Sequence, residues 1–295
     1  MPAWTFEAMG SRCELQLEGA AGPLLEAAAT AAIGEVRRIE AKYSRYRDDS
    51  VVSRINRAAG GDAGVEIDDE TAALLQFGDQ LHARSAGRFD LSAGVLRHAW
   101  DFRRGVPPAP ALLQRALALV GWSRVERSGH RVRLPIPGME LDFGGIGKEY
   151  AADRAAAQAL ARDAVHGFVN LGGDIRVLGP RADGRAWCFG IQHPRDRQRL
   201  AAEAALAHGA LATSGDYERC FEHAGRRYGH VLDARSGLPV SHWQSISVVA
   251  PACVAAGALA TLGLLLGDEA PALLDGQGVA WLGIDATGRH HARGL

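Results

Sequence analysis

The sequence has few cysteines and no excess of charge of one sign, and both shortages narrow the classes of protein to which it can belong. Its 295 residues include only four cysteines, Cys13, Cys188, Cys220 and Cys253, with no CxxC pair. Such spacing suggests neither a structural zinc site nor a disulfide framework. The formal net charge is −1 at pH 7, with no long run of one sign. This balance argues against nucleic acid or an anionic membrane surface as the main partner.

Long hydrophobic runs are also lacking. The most apolar segment, 252–267, is shorter than the about twenty residues of a membrane span and is rich in glycine. The first residues, MPAWTFEAMGSRCELQL, show no basic region followed by an apolar core and a cleavage site. Cys13 lies in a strand-like stretch, so it is a poor candidate for a lipid anchor. These features predict a cytoplasmic protein without a membrane span.

The overall composition is that of an ordinary soluble globular protein, with 47% hydrophobic and 23% charged residues. The length allows two domains, and GVPPAPALL at 105–113 is the best candidate for a boundary. However, a helical pattern follows its prolines at once. We therefore predict one continuous domain over residues 1–295.

Hydrophobic spacing predicts a mixture of helices and strands. Apolar residues recur every three or four positions after Pro23, which predicts a first amphipathic helix. Further helices are predicted at about 70–85, 110–121, 147–162 and 252–267, the last one buried. Strands are predicted near the N-terminus, in a hairpin around Ser128-Gly129, on both sides of Gly172-Gly173, and in AWCFGIQ, RYGHVL, SISVVA and VAWLGID. Because these elements do not alternate as regular βαβ units, the fold class is predicted to be α+β.

A glycine-rich loop, LDFGGIGKEY at 141–150, precedes one of these helices. Glycines allow close approach of the backbone to a ligand, and the first amides of a helix attract anions. The loop contains no GxGxxG, and Glu149 follows Lys148 where a Walker A loop has Ser or Thr. By itself, the stretch is more typical of a tight turn, with Lys148 as a solvated lysine.

Polar residues are dense in TSGDYERCFEHAGRRYGHVLDARSGLP, 213–239. So many polar groups among strands either face water or line a site, because burying them without partners is costly. Each candidate also has a structural alternative. His230 could be a hydrogen-bonded strand histidine, Asp174 a hairpin turn residue, and Asp90 or Ser92 a helix cap.

The order and spacing of these segments resemble the ApbE family of flavin transferases, the FAD:protein FMN transferases. The resemblance extends over nearly the whole chain. It rests on Met9-Gly10, YSRYRDDSVVSRIN (43–56), GRFDLSAGVLRHAWDF (87–102), LDFGGIGKEYAAD (141–153), FVNLGGDIRVLG (168–179), ATSGDYER (212–219), RYGHVLDARSGLP (227–239) and ACVAAGALATLGLLLG (252–267).

The resemblance implies a single α+β domain that binds FAD and a divalent metal, usually Mg²⁺, with Mn²⁺ as the alternative. Such enzymes transfer FMN from FAD to a Thr or Ser hydroxyl of a target flavoprotein and release AMP. Residues matched by motif would contact FAD (Met9, Tyr46, Phe89, Asp90, Asp142 and Lys148) or the metal (the Gly145 carbonyl and the Thr261 hydroxyl). His230 would be the general base, with Asp233 close by.

One departure from the family pattern concerns the metal. The buried helix usually reads Asp-Ala-Leu-x-Thr, whereas this chain has glycine at the first position, Gly257, four residues before Thr261. Mg²⁺ commonly uses one or two carboxylates besides phosphate oxygens, so Gly257→Asp is expected to restore a ligand. Glu149 replaces a glycine common in the family and adds a carboxylate of unknown direction.

This departure leaves two alternatives to a transferase. The first is an FAD-binding protein with a degenerate metal site, acting as a flavin carrier or regulator. The second is a hydrolase that cleaves FAD to FMN and AMP.

Overall fold

A large antiparallel sheet forms the centre of the fold in the computed structural model, which describes residues 2–19 and 22–295. The described strands, β1 to β15 in chain order, are Ala3–Ala8, Ser11–Glu18, Val65–Glu66, Glu126–Ser128, Arg131–Arg133, His166–Leu171, Asp174–Gly179, Trp187–His193, Asp196–Leu206, Gly209–Gly215, Cys220–His223, Arg226–Gly229, Trp243–Ala250, Ala280–Asp285 and His290–Arg293. Eight of them form the sheet in the order β1-β2-β6-β7-β10-β13-β14-β15, and all neighbouring pairs are antiparallel.

Helices cover one face of this sheet. The described α-helices, α1 to α7, are Gly22–Tyr43, Val51–Arg57, Asp69–Arg84, Pro110–Leu117, Gly147–Leu160, Cys253–Leu266 and Ala270–Gly276, and 3₁₀ turns span Leu91–His98, Trp122–Arg124 and Gly267–Glu269. Helix α5 packs on α1 and on β6 and β7, while α6 packs on β10 and β13. Small residues such as Ala152 and Ala256 are fully buried here, and they allow the helix axes to approach the sheet closely.

The hairpin of β8 and β9 covers part of the opposite face. Phe168 on β6 faces this hairpin, with its ring centroid 5.0 Å from Trp187 and 5.1 Å from Phe189. Its neighbour Val169 belongs to the core under the helices, because successive side chains of a strand point to opposite faces. The central strands are therefore buried on both faces.

The α+β fold class predicted from the sequence is confirmed. Helices α1, α3, α5 and α6 lie where hydrophobic spacing predicted them, and the hairpin around Gly129 forms as β4 and β5. Two boundaries were wrong. Helix α4 ends at Leu117 rather than near 121, and β12 ends at Gly229, so that His230 lies just outside the strand. The domain limits, 1–295, stay a prediction.

One described stretch, Cys253–Gly276, passes the length and hydropathy criteria for a membrane span. Within the fold it consists of α6, a 3₁₀ turn and α7, and 61% of its apolar window is buried. A buried core helix passes the same criteria, so the stretch is weak evidence for a span. The cytoplasmic location stays a prediction.

Candidate functional site

The glycine-rich loop before α5 is held in place by Asp142. Oδ1 of Asp142 accepts a hydrogen bond from the Gly144 amide at 2.9 Å, and Oδ2 forms an ion pair with Arg45. A Cβ atom at Gly145 would lie 3.0 Å from the Phe89 ring, so the ring packs directly against the loop. The structure thus brings together three predicted site residues, Phe89, Asp142 and Gly145.

Lys148, in the first turn of α5, forms an ion pair with Asp174 at the start of β7. The Asp174 side chain is only 3% exposed. Burial opposes the charge of Lys148, but the Asp174 carboxylate outweighs it and raises the pKa of the lysine above its ordinary value. Lys148 is therefore a fixed cation at the N-terminus of α5 and not a solvated surface lysine. Asp174, for which the sequence suggested only a turn, is its partner.

Hydroxyl groups of β10 line the same region. The Ser214 and Thr261 hydroxyl oxygens are 2.8 Å apart, and those of Thr213 and Ser247 are also 2.8 Å apart. The backbone amide of Thr213 lies 3.4 Å from Oδ1 of Asp174. Thr261 on α6 is thereby connected, through β10, to the Lys148–Asp174 pair.

Glu149, next to Lys148, has the most unusual environment of the site. It is only 7% exposed, and its Oε2 atom is buried with no hydrogen-bond partner among the described residues. A Cβ atom at Gly257 of α6 would lie 2.5 Å from Cγ and 2.6 Å from Oε1 of Glu149. Burial, together with the charge of Asp174, raises the pKa of Glu149 well above its ordinary value. The structure thus gives the direction that the sequence could not: Glu149 points at Gly257.

His230 follows β12 and is surrounded by charged groups. Loss of hydration lowers the pKa of His230 below its ordinary value, and the charges of Arg219 and Lys148 lower it further. Although His230 is an exposed residue, these cations favour the neutral imidazole at pH 7. A neutral imidazole can accept a proton, which the predicted role as general base requires.

Asp233 lies in a tight turn after His230. Its Oδ1 atom accepts a hydrogen bond from the Arg235 amide at 2.8 Å, and Oδ2 lies 4.0 Å from Nε of Arg88. The turn is also joined to the segment before Phe89, because the Ala234 amide donates to the Arg88 carbonyl at 3.0 Å. No hydrogen bond links Asp233 with His230 in the part of the chain described here. Asp233 is therefore connected to the site through Arg88, the residue that precedes Phe89.

Met9 and Tyr46 both lie in turns. Met9 has a positive φ of 56° between β1 and β2, and its amide donates to Oε1 of Glu40 at 2.6 Å. Tyr46 is 78% exposed, and Arg45 lies over its ring at 5.1 Å from the centroid. An exposed aromatic ring beside a partly buried arginine is available to a planar ligand.

Asp90 serves as a helix cap, as its structural alternative predicted. Its carboxylate accepts hydrogen bonds from the amide and hydroxyl of Ser92 at 2.7 and 2.6 Å and from the Trp122 amide at 3.0 Å. The side chain is 4% exposed. The contact of Asp90 with FAD stays a prediction, and its observed role is to cap the 3₁₀ turn Leu91–His98 and to bind the Trp122 amide.

Some residues of this region were not assigned a role from the sequence. Arg45 pairs with Asp142, and Arg219 lies beside His230. Arg45 could have been identified from the sequence, because it adjoins the predicted site residue Tyr46 in YSRYRDD. Arg219 is also 3.4 Å from a Cβ atom placed on Gly10, a contact between distant segments that no local pattern reveals.

Comparison with known proteins agrees with this geometry. The sequence profile of the ApbE family matches residues 9–282. The FAD:protein FMN transferase of Treponema pallidum is 34% identical over 249 residues, which are 78% of this chain and 68% of that protein. The FAD:protein FMN transferase of Haemophilus influenzae is 29% identical over 245 residues, covering 79% and 71%.

Solved structures show the same fold. The ApbE protein of Thermotoga maritima superimposes with a TM-score of 0.91 at 30% identity, covering 99% of this chain and 97% of that one. The flavin transferase ApbE of Vibrio cholerae gives a TM-score of 0.85 at 25% identity, with the same coverage. With the profile matching most of the chain and the fold matching throughout, the protein belongs to the ApbE family.

Proposed function

We propose that the protein transfers FMN from FAD to a Thr or Ser hydroxyl of a target flavoprotein and releases AMP. The observation that supports this most directly is the grouping of Lys148, Asp174, Thr261 and His230 around the N-terminus of α5, in a chain of the ApbE family. The relatives from T. pallidum and H. influenzae carry the name of this activity.

Cleavage of a pyrophosphate requires that negative charge on its oxygens is stabilised. Lys148 offers a cation held by Asp174, and it lies in the first turn of α5, the end of a helix that favours anions. Arg219 adds a second cation beside His230. These groups favour binding of the FAD pyrophosphate at this end of α5.

His230 accepts the proton of the acceptor hydroxyl in this proposal. The hydroxyl oxygen then forms a bond to the phosphorus of the FMN half, while the bond from that phosphorus to the bridging oxygen breaks. AMP leaves with the bridging oxygen, and FMN remains joined to the acceptor as a phosphoester. The lowered pKa of His230 keeps its imidazole unprotonated before the attack.

A divalent cation, Mg²⁺ or Mn²⁺, fits the oxygen donors of the site. When bound, it supplies positive charge to the non-bridging phosphate oxygens. The Gly145 carbonyl and the Thr261 hydroxyl would hold it, and Ser214 orients the hydroxyl at 2.8 Å. The described residues contain no group of three or more His, Cys, Asp or Glu side chains suited to a metal. The buried, unpartnered oxygen of Glu149 is the feature of the structure that a cation would satisfy.

The direct test is incubation of the protein with FAD and Mg²⁺, with and without an acceptor protein carrying the target Thr or Ser. We expect AMP to be released and the acceptor to gain the mass of an FMN group, as measured by chromatography and mass spectrometry. Release of FMN and AMP without labelling of the acceptor would show a hydrolase instead. Binding of FAD with no AMP at all would show a flavin carrier.

A further inference from the structure

A buried carboxylate next to Gly257 has no role in the reaction as described so far. Glu149 is 93% buried, and its Oε2 atom lacks a hydrogen-bond partner among the described residues. Burying an ionised carboxylate without a partner is strongly unfavourable, so such groups are neutralised, paired or bound to a metal.

The neighbouring charges do not compensate Glu149. Lys148, whose charge acts on Glu149, forms its ion pair with Asp174 instead. Asp153, one turn further along α5, is satisfied by the amides of Cys253 and Val254 at 2.8 and 2.9 Å. Of these three carboxylates, Glu149 is thus the one with an uncompensated oxygen, and a second cation would balance it.

Oxygen donors suited to that cation lie on the face of α6 that Glu149 contacts. The carboxylate lies against Gly257, where a side chain would overlap it, since the Cβ position is 2.5 Å from Cγ of Glu149. Thr261 is four residues further along α6, on the same helix face. Its hydroxyl and that of Ser214 are hard oxygen donors, the type that Mg²⁺ and Mn²⁺ prefer.

We propose that Glu149 is the carboxylate ligand of the metal site. It reaches from α5 into the place that a side chain at position 257 of α6 would otherwise occupy. This inference rests on the proposed function, because it assigns a further ligand to the metal of that site. It also changes the expectation from the sequence: Gly257→Asp places a second carboxylate against Glu149 instead of restoring a missing one.

The first test is the binding of Mn²⁺ to the FAD-loaded protein, measured from the electron paramagnetic resonance signal of free Mn²⁺. We expect Glu149→Gln to weaken Mn²⁺ binding by roughly 10-fold or more, at least the loss seen when supporting groups of a metal ligand are removed. The matched control is Glu35→Gln, the same substitution at a carboxylate that is equally buried but paired with Arg38 and Arg154, and it should change Mn²⁺ binding far less. Equal weakening by both variants would reduce the role of Glu149 to general electrostatics and overturn the proposal.

The second test moves the carboxylate between the helices. Gly257→Asp alone should lower the unfolding midpoint in the absence of metal, because the new side chain overlaps Glu149. Glu149→Gly combined with Gly257→Asp should relieve the overlap and recover Mn²⁺ binding relative to Glu149→Gly alone. If circular dichroism shows that the double variant is folded but its Mn²⁺ binding does not recover, the two positions do not share one carboxylate site.

FAD affinity without metal separates this proposal from the proposed function. Calorimetry in the presence of a chelator should give similar FAD affinities for the wild type and Glu149→Gln. If the wild type releases AMP from FAD but Glu149→Gln retains full Mn²⁺ affinity, only the assignment of Glu149 is wrong. If the wild type neither binds FAD nor releases AMP, the proposed function itself fails.

Discussion

At the scale of single residues, the candidate site depends on groups whose charge state is set by their neighbours. His230 lies beside Arg219 and within the electrostatic influence of Lys148, and both cations disfavour its protonated form. The neutral form is the one that accepts a proton from a hydroxyl. The same residues that attract a pyrophosphate therefore also prepare the base.

His230→Ala should slow AMP release by about 10²–10⁴-fold, the usual contribution of a general base. FAD affinity should remain nearly unchanged, because the imidazole acts on the acceptor hydroxyl. Single-turnover rates and calorimetry measure the two effects separately. Loss of FAD binding with unchanged turnover of the bound fraction would instead identify His230 as a pocket residue.

The lowered pKa of His230 also predicts a pH dependence. The imidazole of the wild type should stay neutral as the pH falls through 6.5, the ordinary value for histidine, so the acid limb of kcat/KM lies below that pH. Arg219→Gln removes a nearby positive charge, which raises the pKa of His230 and moves the acid limb to higher pH. The pH profiles of AMP release for the two proteins test this. An acid limb at the same pH in both would mean that Arg219 does not influence the base.

Tyr46 allows ligand binding to be tested without disturbing the fold, because its side chain is 78% exposed. Tyr46→Ala should weaken FAD binding by roughly 10-fold through loss of stacking on a flavin or adenine ring, with an unchanged unfolding midpoint. Tyr46→Phe is the matched control: it keeps the ring and removes only the hydroxyl that Arg45 contacts at 3.0 Å. Fluorescence titration of FAD should therefore find Tyr46→Phe close to the wild type. Wild-type affinity in both variants would place Tyr46 outside the FAD site.

At the scale of elements, α5 and α6 form one unit. Helix α6 begins after Ala252, which provides no side-chain cap. Asp153 of α5 replaces that cap by accepting the amides of Cys253 and Val254. This contact fixes the start of α6, and with it the positions of Gly257 and Thr261 relative to the loop before α5.

Asp153→Ala should therefore lower the free energy of unfolding by about 1–2 kcal/mol, the usual cost of removing a helix cap. Asp183→Ala is a suitable comparison, because Asp183 pairs with Arg185 in an exposed turn. Its effect should stay within about 0.5 kcal/mol. Denaturant unfolding of both variants measures the difference. Similar stabilities would show that α6 does not depend on a cap from α5.

The elements differ in how well the sequence predicts them. Helices α1, α3, α5 and α6 follow from hydrophobic periodicity, a local signal. Strand β9, with the sequence DRQRLAAEAAL, was not predicted, because alanine, glutamate and arginine favour helices and only its pairing with β8 makes it a strand.

The site shows the same division between local and distant contacts. Lys148, Asp142 and His230 were identified from motifs that are continuous in the sequence. The partner of Lys148 is 26 residues away, and Glu149 faces a glycine on another helix. Neither pairing leaves a periodic pattern in the sequence. The direction of Glu149, and hence the role proposed for it, could be found only from the structure.

At the scale of the whole molecule, the predicted FAD contacts and the arginines beside them come from several separate parts of the chain. Tyr46 and Asp142 lie on either side of Arg45. Lys148 lies at the start of α5, and Arg219 connects the turn at Gly10 with His230. A ligand that extends across this surface contacts more of these groups than either of its halves does.

We therefore predict that FAD binds at least roughly 10-fold more tightly than FMN, a difference of about 1.4 kcal/mol that a few additional contacts of the AMP half would provide. Calorimetric titration with FAD, FMN and AMP, each without metal, measures the three affinities under one condition. AMP should bind weakly and compete with FAD, because it occupies part of the same surface. Equal affinities for FAD and FMN would mean that the AMP half of FAD makes no contact with the protein. The residues assigned to FAD would then all contact the FMN half. No binding of either flavin would remove the basis for the transferase and for the flavin carrier alike.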